Sequence, residues 1–203
     1  NDVSKVYIGI KKGAKLSQSI SKYINEPPIV YYGSSITQGG CASRPGNCYQ
    51  SIISRRLNRD YINLGFSGSA QAEQPMIDYI KTLDMSVFVY DYDHNAPTPQ
   101  YLKQTHKHMF DEIRGAKPDT PIIMISRPSA VVYPYTKKRL DIIRDTIECA
   151  KKDGDKNVYM IDGGEMMRKF CGNDGTVDNT HPNDFGFRAM AEEIGNCLER
   201  ILS

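Results

Sequence analysis

Residues 29–40 read IVYYGSSITQGG. Ile29 to Tyr32 form an unbroken, largely apolar run, which enters Gly33. Two serines follow, and a glycine pair closes the stretch. A short continuous apolar run bounded by turn residues marks a strand buried on both faces, as in a parallel sheet. Four more runs share the pattern: YINLG (61–65), SVFVYD (86–91), PIIMIS (121–126) and NVYMID (157–162). Helical patterns lie among them. TPQYLKQTHKHMFDEI (98–113) offers Thr98 as N-cap and Pro99 as first helical residue, with Leu102, His106, Met109 and Ile113 on one face. KRLDIIRDTIECA (138–150) aligns Leu140, Ile143, Ile147 and Ala150. FRAMAEEIGNCLERIL (187–202) aligns Phe187, Met190, Ala191, Ile194, Leu198 and Ile201. The alternation predicts an α/β fold, a five-stranded parallel sheet with helices on both faces, or a three-layer α/β/α sandwich.

Composition narrows the function classes. With 203 residues the chain has room for one well-buried domain rather than two. The formal net charge of +2 is too small to make nucleic acid or a membrane surface the expected partner. No apolar stretch approaches the roughly 20 residues of a membrane span. The start NDVSKVYIGI has no initiator methionine and no signal-peptide core, so the chain is expected to be a piece of something longer. The five cysteines make no zinc-ligand pattern. Cys149 and Cys197 fall on helical stripes, and Cys41 and Cys48 are either a disulfide or two free thiols. Residues 1–28 break the β/α rhythm. They are expected to be an N-terminal arm, either a remnant of a preceding β-rich domain or an added edge strand, with the main domain at 29–203.

In open α/β sheets, ligands bind outside the carboxyl ends of the strands. Four loops there carry chemistry. In GTVDNTHPNDFGF, Asp178 and His181 stand three apart, so the carboxylate can reach Nδ1 and leave Nε2 to take a proton from a hydroxyl. GSSITQGG supplies serines that either cap the next helix or act as a nucleophile. Gly68 in GFSGSAQ can bring its N–H close to a substrate, and Asn95 in DYDHNAPT carries an amide donor. The same DYDHN stretch leaves a metal-dependent phosphoesterase open, since carboxylate and imidazole suit divalent metals.

Taken in order, the loops resemble the blocks of the SGNH (GDSL-type) hydrolase superfamily. The nucleophile block G-[DS]-S-h-T-x-G is met by Gly33 to Gly39, the glycine block by Asn63 to Gly68, the asparagine block by Asp93 to Ala96, and DxxHP by Asp178 to Pro182. The likeness spans about residues 29–203. GGCASRPG resembles a bacterial subgroup whose catalytic domain often follows a β-sandwich, so such a domain is a possible companion. The resemblance implies the flavodoxin-like SGNH fold. It implies Ser35 as nucleophile, His181 as base and acid, and Asp178 as orienting carboxylate. It also implies an oxyanion hole of the Ser35 N–H, the Gly68 N–H and the Asn95 side chain. Ser34 replaces the usual aspartate and is expected to serve the turn.

The expected activity is a serine esterase or acylhydrolase acting on short acyl esters such as acetyl, on a small molecule or carbohydrate. It would need no cofactor and no metal. A related acyltransferase and a non-catalytic carbohydrate-binding module are the other readings. A secreted or periplasmic bacterial location is favoured. At the rim, His94 is read as pocket wall or hydrogen-bond partner, and Arg44 and Arg127 as either substrate contacts or structural ion pairs. Tyr133 and Tyr135 are placed in a loop that could cover the acyl site. His106 and His108 are read as structural.

Overall fold

The computed structural model describes residues 4–17 and 23–203. Five strands occupy the five apolar runs: β1 (Ile29–Gly33), β2 (Tyr61–Gly65), β3 (Val87–Asp91), β4 (Ile122–Ile125) and β5 (Val158–Ile161). All pair in parallel, in the order β2-β1-β3-β4-β5. Among the described residues, seven α-helices connect and follow them: α1 (Ser35–Gln38), α2 (Tyr49–Leu57), α3 (Gln74–Thr82), α4 (Pro99–Ala116), α5 (Pro134–Lys152), α6 (Gly163–Phe170) and α7 (Asp184–Leu202). Thr98 caps α4 by accepting from the Tyr101 N–H at 3.1 Å, with Pro99 next.

Alternation along the strands sorts side chains onto two faces. Val30, Tyr32, Phe88, Tyr90, Ile122 and Met124 pack with Ile77, Leu102, Met109, Ile113 and Ile143 from α3, α4 and α5. Ile29, Tyr31, Val87, Val89, Ile123 and Ile125 pack with Ile53, Met167, Phe187, Met190 and Ile194 from α2, α6 and α7. The expected three-layer sandwich is what these two clusters build. Five tyrosines, at 31, 32, 49, 90 and 92, are fully buried.

Two points of local structure left open or read as loop are resolved. Tyr133, with extended backbone, ends the loop as the N-cap of α5, whereas Tyr135 lies in the helix's first turn. Their rings stack at 5.6 Å and 9° on the surface. Cys41 and Cys48 are free thiols, as are the other three cysteines. Of the arm at 1–28, residues 1–3 and 18–22 lie outside the described residues. Residues 4–17 form no helix or strand and are exposed throughout, with Val6, Tyr7, Ile8 and Leu16 among them.

The chain runs from β1 to β2 on one side and then crosses to β3 on the other. That reversal places the loops after β1 and β3 side by side at the carboxyl edge, where such folds bind ligands. Gly33 ends β1 directly opposite Asp91. A Cβ at Gly33 would overlap Asp91 Oδ1 and Thr37 Oγ1, so only glycine admits this approach.

Candidate active site

Ser35 opens α1 at the end of β1 and is half-buried. Its Oγ lies 2.9 Å from His181 Nε2. On the far side of the ring, His181 Nδ1 is 2.7 Å from Asp178 Oδ2. The tautomer follows from the partner: a carboxylate accepts, so Nδ1 carries the hydrogen and Nε2 can accept from Ser35. Asp178 also accepts the backbone N–H of His181 at 2.7 Å and of Thr180 at 3.0 Å. These bonds, the His181 N–H first, hold its carboxyl below the usual carboxylate range. The pair stands at the open rim, with side-chain exposure of 30% for His181 and 49% for Asp178.

The loop bearing His181 is held at both ends. Val177 N–H donates to His181 O at 2.9 Å, and Thr176 bridges Pro182. Asn183 then caps α7, accepting from the Phe185 and Gly186 N–H groups. Its own amide donates to Asp174 O at 2.7 Å. In the first turn of α7, Asp184 accepts from the Ser43 N–H (2.8 Å), Ser43 Oγ (2.5 Å) and Asn47 Nδ2 (2.8 Å). The ASRPGN stretch thereby ties the loop after Ser35 to the helix after His181. Ser43, Asn47 and Asp184 carry no motif. The only sequence signal was an acidic residue in the first turn of a helix.

Gly68 takes φ +69°, with open space where a Cβ would stand. Asn95 Nδ2 donates to Phe66 O at 3.2 Å, and the Phe66 N–H donates to Gly33 O at 2.8 Å. One hydrogen of the Asn95 amide is thus occupied, and the second is left for another acceptor. Ser34 is the cap of α1: its Oγ accepts from the Ile36 N–H at 3.1 Å.

At the rim, His94 and Arg127 take the structural side of the readings left open. His94 turns inward, with Nε2 2.6 Å from Ser34 Oγ and Nδ1 3.0 Å from Asp93 Oδ1. Both ring nitrogens are occupied by protein atoms, so His94 does not present itself to a ligand. Arg127 donates to Thr180 Oγ1 (2.6 Å), Asn179 O (3.1 Å) and Tyr135 Oη (3.2 Å), bracing the loop before His181. Arg44 is exposed and acts on Asp184 only through its charge. Among the described residues, no three His, Cys, Asp or Glu side chains converge as metal ligands. No helix among them is long and apolar enough to cross a membrane.

Beneath the site lies Asp91, the last residue of β3. It is fully buried, accepts from Thr37 Oγ1 and leaves Oδ2 without a partner. Burial pushes its carboxyl up to about 7. Asp93 behaves oppositely. Burial raises it, but the His94 hydrogen bond and the Arg127 amide outweigh that and hold it below the usual range.

A parallel β2-β1-β3-β4-β5 sheet carrying serine, histidine and aspartate side chains on its carboxyl-edge loops defines a three-layer α/β protein with a Ser–His–Asp line at its ligand-binding edge. The chain belongs to the GDSL-like lipase/acylhydrolase family, whose model matches residues 26–199. A GDSL-like lipase from Bacteroides ovatus is 34% identical, with a TM-score of 0.76, covering 87% of this chain and 54% of that one. The salicylyl-acyltransferase SsfX3 from a tetracycline biosynthetic pathway is 23% identical (TM-score 0.74; 90% and 56% covered). A family two carbohydrate esterase from Clostridium thermocellum, solved with cellohexaose, is 19% identical (TM-score 0.72; 93% and 67% covered). The chain thus spans little more than half the length of the first two. No curated protein sequence matches it significantly.

Proposed function

We propose that the protein is a serine esterase that cleaves short acyl esters through an acyl-enzyme on Ser35. The observation that carries this reading is the unbroken line Ser35 Oγ, His181, Asp178 at 2.9 and 2.7 Å. In the proposed cycle, Ser35 Oγ attacks the ester carbonyl while His181 Nε2 takes its proton. Asp178 keeps the ring oriented and stabilises the imidazolium that forms. The Ser35 N–H, the Gly68 N–H and the free hydrogen of the Asn95 amide would share the developing oxyanion. His181 then returns the proton to the leaving alcohol. Water, deprotonated by the same nitrogen, releases the acid and restores Ser35.

Acetyl groups on carbohydrate are the proposed substrate class, in a secreted or periplasmic setting. The arm at 1–28 is proposed to adjoin a β-rich domain. The exposed apolar residues Val6, Tyr7, Ile8 and Leu16 support that reading of the arm. A panel of esters from acetyl to long acyl, including an acetylated oligosaccharide, run on wild type and Ser35→Ala, tests the assignment. Short esters are expected to be cleaved by wild type alone. Equal rates in the two proteins would remove Ser35 from the chemistry.

A further inference from the structure

One set of buried polar side chains has no part in the proposed cycle. Ser34, His94 and Asp93 repeat the order serine, histidine, aspartate, at 2.6 and 3.0 Å. The His94 side chain is 8% exposed, that of Asp93 3%, and Ser34 is fully buried. A substrate cannot reach Ser34, so this is not a second nucleophile. Burying such groups is costly unless each is hydrogen-bonded, and here the hydrogens can be assigned without conflict. Asp93 only accepts, so His94 donates from Nδ1. Its Nε2 then accepts the Ser34 hydroxyl hydrogen, and Ser34 Oγ keeps a lone pair for the Ile36 N–H.

The array also joins loops that are far apart in sequence. Ser34 precedes the nucleophile and His94 precedes the Asn95 donor. Asp93 Oδ2 accepts from the Arg127 N–H at 3.3 Å, and the Arg127 side chain reaches Thr180 and Asn179, just before His181. His181 then meets Ser35, which closes the circuit. Arg139 of α5 fixes the stretch from outside, donating to Asp93 O and, at 2.8 Å, to Ala96 O.

We propose that Ser34, His94 and Asp93 form a buried positioning relay that holds the nucleophile loop and the Asn95 loop in register, so that both address one substrate carbonyl. The proposal rests on Ser35 being the nucleophile. Its members touch neither substrate nor reacting atoms. They act through Ser35 and Asn95, and small displacements of such groups are expensive in rate.

The test has two arms. Nitrogen-15 NMR of the wild-type imidazoles, with the His94 ring assigned through its own backbone by triple-resonance spectra, should show Nδ1 protonated; a bare Nδ1 overturns the relay. In the second arm, Ser34→Ala, His94→Gln and their double variant are assayed with p-nitrophenyl acetate. Each single variant should lose ~10–100-fold in kcat with KM changed by less than about twofold, as expected when geometry rather than binding is lost. The double variant should be no worse than the poorer single one, because both cut the same line. Wild-type kcat in either folded single variant, or additive losses, sinks the proposal while Ser35→Ala stays inactive. Activity retained in Ser35→Ala, or no ester cleaved by wild type, faults the functional reading and takes the relay with it, whatever the imidazole signal shows. The NMR arm needs no variant to be active, so the relay stays open to disproof even where a substitution misfolds.

Discussion

At Asn95 a single side chain separates ground-state structure from transition-state chemistry. One amide hydrogen is held by Phe66 O, which fixes the side chain in one orientation; in the proposed cycle the other would already be presented to the oxyanion. A donor aligned in advance costs little reorganisation during reaction. Asn95→Ala should therefore lower kcat by ~10²–10³-fold with KM nearly unchanged, read from steady-state kinetics on acetyl esters. Asp178→Asn should lose less, about 10²-fold, because Asp178 is half-exposed and water can replace part of its effect on His181. The same substitution turns the Oδ2 acceptor of His181 Nδ1 into an amide donor and removes the negative charge beside the ring, so its pH–rate profile should show a displaced lower limb. Ser35, His181, Asp178, Gly68 and Asn95 could be singled out in the sequence because each sits in a short loop after a strand or before a helix. Ser34, Asp93 and Arg127 could not be linked that way, since no motif pairs the loops that their bonds join.

Among the elements, the segment from Thr176 to the start of α7 does two jobs. Asn183 caps the helix and, through Asp174 O, closes the turn that carries His181. Asn183→Ala should cost roughly 1–2 kcal/mol in urea denaturation, the usual range for a lost cap. It should also lower kcat, whereas an exposed change such as Arg188→Ala should do neither. The five strands were readable because each is a continuous apolar run closed by turn residues. Helix α6 was not. It begins Gly163-Gly164, which reads as a turn, yet a Cβ at Gly163 would overlap Ser126 O. Packing against the β4 loop thus chose glycine where helix propensity would not. Similarly α5 starts at Pro134, ahead of its apolar stripe, because Thr136 Oγ1 accepts from the Tyr133 N–H at 2.9 Å before any residue is buried.

For the whole molecule, two buried groups set opposing responses to pH. His106, packed against Tyr90 and Tyr92 and bonded to Thr146 Oγ1 at 2.9 Å, is pulled by burial from 6.5 down to about 4. Its contribution to stability is present above its unfolded value and lost as pH falls from 6.5 to about 4. Asp91 is raised by burial from 3.8 to about 7, so its contribution is present below 3.8 and lost as pH climbs to about 7. Each change is worth on the order of 3–4 kcal/mol, and across that window they oppose one another. Wild-type stability should therefore vary little between these limits. Asp91→Asn should expose the acid sensitivity of His106, and His106→Gln the loss toward neutrality. Urea midpoints for the three proteins at several pH values would reveal equal slopes if the account is mistaken.

The open rim around His181 bears on the lifetime of the acyl-enzyme. An acyl group on Ser35 would sit beside an imidazole that solvent already reaches. Deacylation then needs no lid to open and no ordered channel to deliver water. A competing alcohol could divert the acyl group only by occupying the rim tightly enough to keep water away. Turnover governed by the first, acylating half of the cycle is the kinetic character that such an exposed base favours.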